Sequence, residues 1–147
     1  MTSQDQTLTA LTAWRENRSA GTPGLQSVAN VVMNRVAKSG DSPYAVCTQH
    51  AQFSSISEPG PEADLWPEDA DPQWREALII AWEAVAGRLP DLTRGSTLYY
   101  APAAITSTKT FTLPDGSAVP FPEAWNPAVV TYQASIGGQL FFRELHT

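Results

Sequence analysis

The chain has 147 residues, 42% of them apolar and 16% charged, which suits one domain spanning 1–147 with a buried core of its own. Nine Lys and Arg against 15 Asp and Glu give a formal net charge of −6, so the cation clusters that neutralise nucleic-acid phosphates or grip an anionic membrane are missing. No apolar run reaches membrane-spanning length, a single cysteine excludes an internal disulfide, and two histidines without metal-ligand spacing argue against a zinc site.

Met1 to Gln6 hold no basic residue and no apolar run follows, so no secretory signal is expected. A first helix is predicted from about Asp5 to Arg18, with Leu8, Leu11 and Trp14 or Arg15 inward. Thr22 as N-cap and Pro23 at the first helical position start a second helix that Lys38 and Gly40 close. Its apolar set, Leu25, Val28, Ala29, Val32 and Val36, with Val31 and Met33 beside it, predicts the central helix, buried on more than one side. Ser42-Pro43 opens a short helix to about Gln49, followed by an extended or turning Gln52-Phe53-Ser54 and an acidic, proline-rich loop from Ser57 to Ala70. Asp71-Pro72 begins a helix from Gln73 to Ala86 that faces Trp74, Leu78, Ala81, Trp82 and Val85 inward, with Gly87 ending it. The period then changes to short strands at Thr97–Tyr100, Lys109–Leu113 and Ala118–Phe121, with Pro114-Asp115-Gly116 as a hairpin turn. Val129–Ala134 and Gln139–Arg143 complete an α+β, predominantly helical chain as strand or short helix.

Glu16 stands out for its position at the end of the first helix pattern, across a Ser/Gly/Pro turn from the second. The C-terminal end of a helix carries partial negative charge that disfavours an ionised carboxylate, and aromatic surface such as Trp14 would remove water from it. A carboxyl held protonated in this way suits general acid catalysis near neutral pH.

From Glu16-Asn17-Arg18-Ser19 through Gln26-Ser27-Val28-Ala29-Asn30-Val31-Val32-Met33-Asn34-Arg35-Val36, the chain resembles the spore cortex-lytic, SleB-type family of cell wall hydrolases. In that family Glu-Ala-Arg-Gly leads into a Gln-x-x-x-Ala-x-Val-Val-x-Asn-Arg-Val helix, and the spacing fits without a gap. Cys47, Gln52-Phe53-Ser54, Leu98-Tyr99-Tyr100 and Ile136-Gly137-Gly138-Gln139-Leu140-Phe141-Phe142 resemble its later elements in the same order. The chain departs at Ala101-Pro102, where the family has His-Asn, and at Gln139, where it has His.

The resemblance implies a lysozyme-like domain that cleaves peptidoglycan glycan strands after N-acetylmuramic acid as a lytic transglycosylase; no cofactor or metal is expected, and the chain is expected to be a monomer. Glu16 is the implied general acid and base, and Gln52, Phe53, Ser54, Tyr99 and Tyr100 line the substrate groove, one tyrosine facing substrate and the other the core. The expected setting is a phage lysin or a secreted antibacterial effector, delivered to the wall without a signal peptide, and an effector would have a cognate inhibitor protein. A hydrolytic muramidase needs a second carboxylate, for which Glu58, Glu62 and Asp64 are candidates. A wall-binding or particle-structural protein that has lost turnover fits the two departures.

Plainer readings stand beside these. Arg15 or Arg18 can simply pair with Glu16, Gln52 and Ser54 can be loop caps, Asn34 a satisfied core amide, and Cys47 a small buried apolar residue rather than the nucleophile of a Cys47–His50 pair.

Overall fold

The computed structural model describes residues 1–49, 53, 56, 60, 62 and 65–145. Four helices, α1 (Ser3–Asn17), α2 (Gly21–Ser39), α3 (Pro43–Thr48) and α4 (Pro72–Val85), precede five short strands among these residues. Strands β1 (Leu98–Tyr100), β4 (Val130–Ile136) and β5 (Gln139–Glu144) form an antiparallel sheet in the order β1-β5-β4, while β2 (Thr110–Thr112) and β3 (Ala118–Pro120) pair as a separate hairpin.

Helix α1 starts two residues before the expected Asp5, because Thr2 and Asp5 form a reciprocal capping box: the Thr2 hydroxyl accepts from Asp5 N and the Asp5 carboxylate accepts from Thr2 N. The other oxygen of that carboxylate accepts from Tyr44 N, which fastens α3 to the start of α1. Every residue from Thr9 to Arg15 is buried, so α1 is as central as α2. Helix α2 begins at Gly21 rather than after Thr22, because a 3₁₀ turn at Arg18–Ala20 carries the chain straight into it with Ala20 at the N-cap. Pro23 then sits in the first turn, where its missing N–H costs no hydrogen bond. The Ser42 and Asp71 caps form as the sequence predicts, the former accepting from Ala45 N and the latter from Gln73 N and Trp74 N.

On α4 the inward stripe is Ala77, Ile80, Ala81 and Ala84, and Trp82 points out, half exposed under the Arg88 guanidinium. Three small alanines on this stripe let α4 lie close to α1 and α2. The helices enclose one core of Leu11, Trp14, Leu25, Val28, Val31 and Val32 with these alanines. A second cluster, Tyr100, Phe121, Val130, Leu140 and Phe142, lies on the opposite face of the sheet and is closed by the β2–β3 hairpin.

Strand β4 serves both cores. A bulge between Tyr132 and Ala134 sets them opposite Phe142 and Phe141, neighbours on β5 that face opposite ways. Tyr132 therefore packs in the aromatic cluster, while Ala134 and Ile136 pack against the helices.

Candidate active site

Glu16 lies in the last turn of α1, part-exposed, with its flanking residues on the chain, Arg15 and Asn17, both buried. The aromatic group on its carboxylate is Tyr99. The Tyr99 hydroxyl donates a short hydrogen bond to Glu16 Oε1, across 83 positions of sequence, while Oε2 has no hydrogen bond to a described residue. Trp14, expected to cover Glu16, is two positions back on the helix and so about 200° around its axis. Its indole N–H donates to Asp71 and its ring lies beneath Arg18.

Tyr99 reaches Glu16 because strand side chains alternate faces: opposite Phe141 in the register, it projects toward the helices, its ring stacked on Phe141 at 5.5 Å. Burial first, then the negative charge of Glu16 and the hydrogen bond to it, raise the Tyr99 hydroxyl well above its usual value, against the opposing pull of Arg35. Tyr99 is therefore a neutral donor throughout the physiological range. Arg35 lies close by, its Nε donating to Thr97 O at 2.7 Å and its guanidinium 4.5 Å over the Phe53 ring. Phe53 is buried, with its ring 6.4 Å from Tyr99, so it supports the tyrosine from within the core.

Tyr100 projects to the other face of the sheet. Buried among Phe121, Trp125 and Phe142, it donates its hydroxyl to Pro120 O at 2.7 Å and does not join Glu16. Gln52 and Ser54 lie outside the described residues, as do Glu58, Asp64 and His50. Neither arginine near Glu16 forms an ion pair with it among the described residues. Arg18 pairs with Glu62 at 2.7 Å and Arg15 Nε donates to Leu65 O at 3.0 Å. Asn34 is held by Asp91, Ser96 O and Thr93, and Cys47 is fully buried, its thiol pushed up to about 11 by that burial.

Two residues of the site escape the motif reading. Asn17, directly after Glu16, donates through Nδ2 to Gln139 Oε1 at 3.0 Å and so ties the end of α1 to the β4–β5 turn. Gln139 occupies the position of the family's histidine; on β5 it shares the helix-facing side of the sheet with Phe141, and the substituted residue still reaches the site. The approach is close enough to demand glycine. A Cβ on Gly137 would stand 2.4 Å from Ala20 Cβ, and one on Gly24 2.8 Å from Asn17 O and 2.5 Å from Ala20 Cβ.

The helices and the small antiparallel sheet make this a predominantly helical α+β domain, with Glu16 at the end of its first helix. The catalytic domain of the germination-specific lytic transglycosylase SleB from Bacillus anthracis has the same fold, with a TM-score of 0.66 at 20% identity over 96% of this chain and 95% of that one. A family model described as Cell Wall Hydrolase matches residues 19–142. The chain belongs to this cell wall hydrolase family. No curated protein sequence matches it. The family match begins three residues after Glu16 and includes Phe53, Tyr99, Tyr100 and Gln139.

Proposed function

We propose that the protein cleaves the glycan strands of peptidoglycan at the bond after N-acetylmuramic acid, as a lytic transglycosylase, with Glu16 as general acid and then general base. The observation that carries this reading is the Tyr99–Glu16 hydrogen bond in a chain of the cell wall hydrolase family: one carboxylate oxygen is fixed by a permanent donor, and the other is engaged by no described residue. Protonated Glu16 gives its proton to the bridging glycosidic oxygen as the C1–O bond breaks. The C6 hydroxyl of the same muramic acid closes on C1 and returns its proton to the carboxylate, forming a 1,6-anhydro sugar with no water consumed. Tyr99 holds the carboxyl in one orientation through both transfers.

A hydrolytic muramidase would need a second free carboxylate to activate water or trap C1. Of the three candidates, Glu62 is described, and it is engaged by Arg18. The enzyme's workplace on this reading is the cell wall or periplasm, as a phage lysin or as an antibacterial effector held in check by a cognate inhibitor.

The test is digestion of purified peptidoglycan with mass spectrometry of the soluble products. Muropeptides ending in 1,6-anhydro-N-acetylmuramic acid are expected, and only reducing-end muramic acid would sink the transglycosylase assignment. A folded Glu16→Gln protein should lose ~10²–10⁴-fold in rate. Wild-type clearance by that variant would remove Glu16 from the mechanism, and absence of any released product from the wild type would leave a wall-binding protein without turnover.

A further inference from the structure

Trp66 is 70% exposed, in a chain whose other tryptophan near Glu16, Trp14, is buried. Solvent does not hold an indole in place, but here the protein does. Arg15, only 7% exposed itself, donates through Nε to the carbonyl of Leu65 and sets its guanidinium 4.8 Å from the Trp66 ring centre. Three positions on, Arg18 lies 4.1 Å over the Trp14 ring, donates to Trp14 O and pairs with Glu62. Two arginines on one side of α1, at the positions just before Glu16 and two after it, therefore fasten residues 62, 65 and 66 to the helix end that carries the acid. Pro67 follows directly and restricts the backbone further.

We infer that Trp66 is a stacking platform for a sugar ring of the glycan strand in a subsite flanking Glu16, an inference that rests on the function proposed above. A pyranose has a polar rim and an apolar face, and an exposed, immobilised indole offers a matching flat surface at little entropic cost. Positions 15 and 16 are about 100° apart on the helix with Cα atoms about 3.8 Å apart, so a platform anchored on Arg15 lies within a few sugar rings of the Glu16 carboxylate. Trp82 supplies the contrast. It is also exposed, but it sits on the outer face of α4 under Arg88, just past the end of its own helix, and among the described residues no clip joins it to α1 near Glu16.

The experiment uses the full chain carrying Glu16→Gln, so that strands bind without being cut, and titrates it with soluble peptidoglycan glycan strands freed of their peptides. Trp66→Ala should weaken binding at least ~10-fold, as truncation of an aromatic anchor does. Trp66→Phe should recover most of that loss, and Trp82→Ala should leave binding unchanged. In the otherwise wild-type enzyme, Trp66→Ala should raise KM for the same strands with kcat little altered. Unchanged binding by a folded Trp66→Ala protein, or an equal loss in Trp82→Ala, overturns the platform while product release by the wild type still upholds the function. No binding by the Glu16→Gln parent together with no product from the wild type overturns both.

Discussion

The helical half and the aromatic cluster behind the sheet are built on different principles, and adjacent residues of β1 belong to one each. The helical core is mostly aliphatic, with Ala10, Ala13, Ala77, Ala81 and Ala84 allowing close approach, so α1 is gripped along its length and the position of Glu16 is fixed by packing. The second cluster is made of rings meeting mostly edge to face, Tyr100, Phe111, Phe121, Trp125, Tyr132 and Phe142. It holds the sheet, and the sheet presents Tyr99 to Glu16. One half thus positions the acid, and the other stiffens the platform that delivers its partner.

The strongest way to break that division is Phe142→Ala, because this fully buried ring packs on Tyr100, Phe111, Phe121, Trp125 and Tyr132. A loss of ~3–5 kcal/mol is expected in denaturant unfolding. A loss below about 1 kcal/mol would mean that the aromatic cluster does not support the sheet.

Tyr99→Phe sharpens the comparison from the other side. Removing a hydrogen bond to a charged group costs ~1.5–3 kcal/mol of stability, and because Glu16 also loses its fixed orientation, a transition-state loss of the same size gives a ~10- to 100-fold drop in turnover at ~1.4 kcal/mol per tenfold. Tyr100→Phe, which loses only its bond to Pro120 O, should cost ~1 kcal/mol of stability and leave turnover alone. Equal effects of the two on turnover would erase the distinction between the faces of β1.

At the opposite end of α1 from the acid, Asp5→Ala removes the α1 capping box and the tie to α3 and should cost ~1–2 kcal/mol at neutral pH. Burial alone would raise the Asp5 carboxyl, but hydrogen bonds from Thr2 and Tyr44 outweigh it and hold the group below its usual value. The stabilisation is therefore complete above the unfolded value of about 4 and fades as pH falls through the lower folded one. Unfolding at stepped pH should show wild type and variant converging under acid, and a constant gap would contradict the cap's role.

Much of this was legible in the chain. Ser42, Asp71 and Gly40 announce helix ends because their chemistry is local: a side-chain oxygen for orphan N–H groups, or a left-handed residue after the last turn. The Pro114-Asp115-Gly116 turn was readable for the same reason. What sequence could not supply was tertiary. Trp82 has the right spacing to face inward, but alanines occupy the close interface, and the cap at Thr22 gave way to a 3₁₀ turn that continues into α2. Glu16 and Tyr99 were each nameable, yet the bond between them spans 83 positions and depends on the register of β1 on β5. Gln139 reads from the sequence only as a departure from the family's histidine; in the folded chain its amide oxygen accepts from Asn17.

The lone thiol of Cys47 has a practical consequence. It is sealed on α3 among the helices, and burial keeps it protonated at neutral pH, so neither the nucleophilic thiolate nor a path for a reagent exists in the closed protein. Its alkylation rate is consequently a clock for the parting of α3 from α1 and α2. Labelling as slow as global unfolding would show that these helices open only together, and faster labelling would time a local breach beside the Glu16-bearing helix.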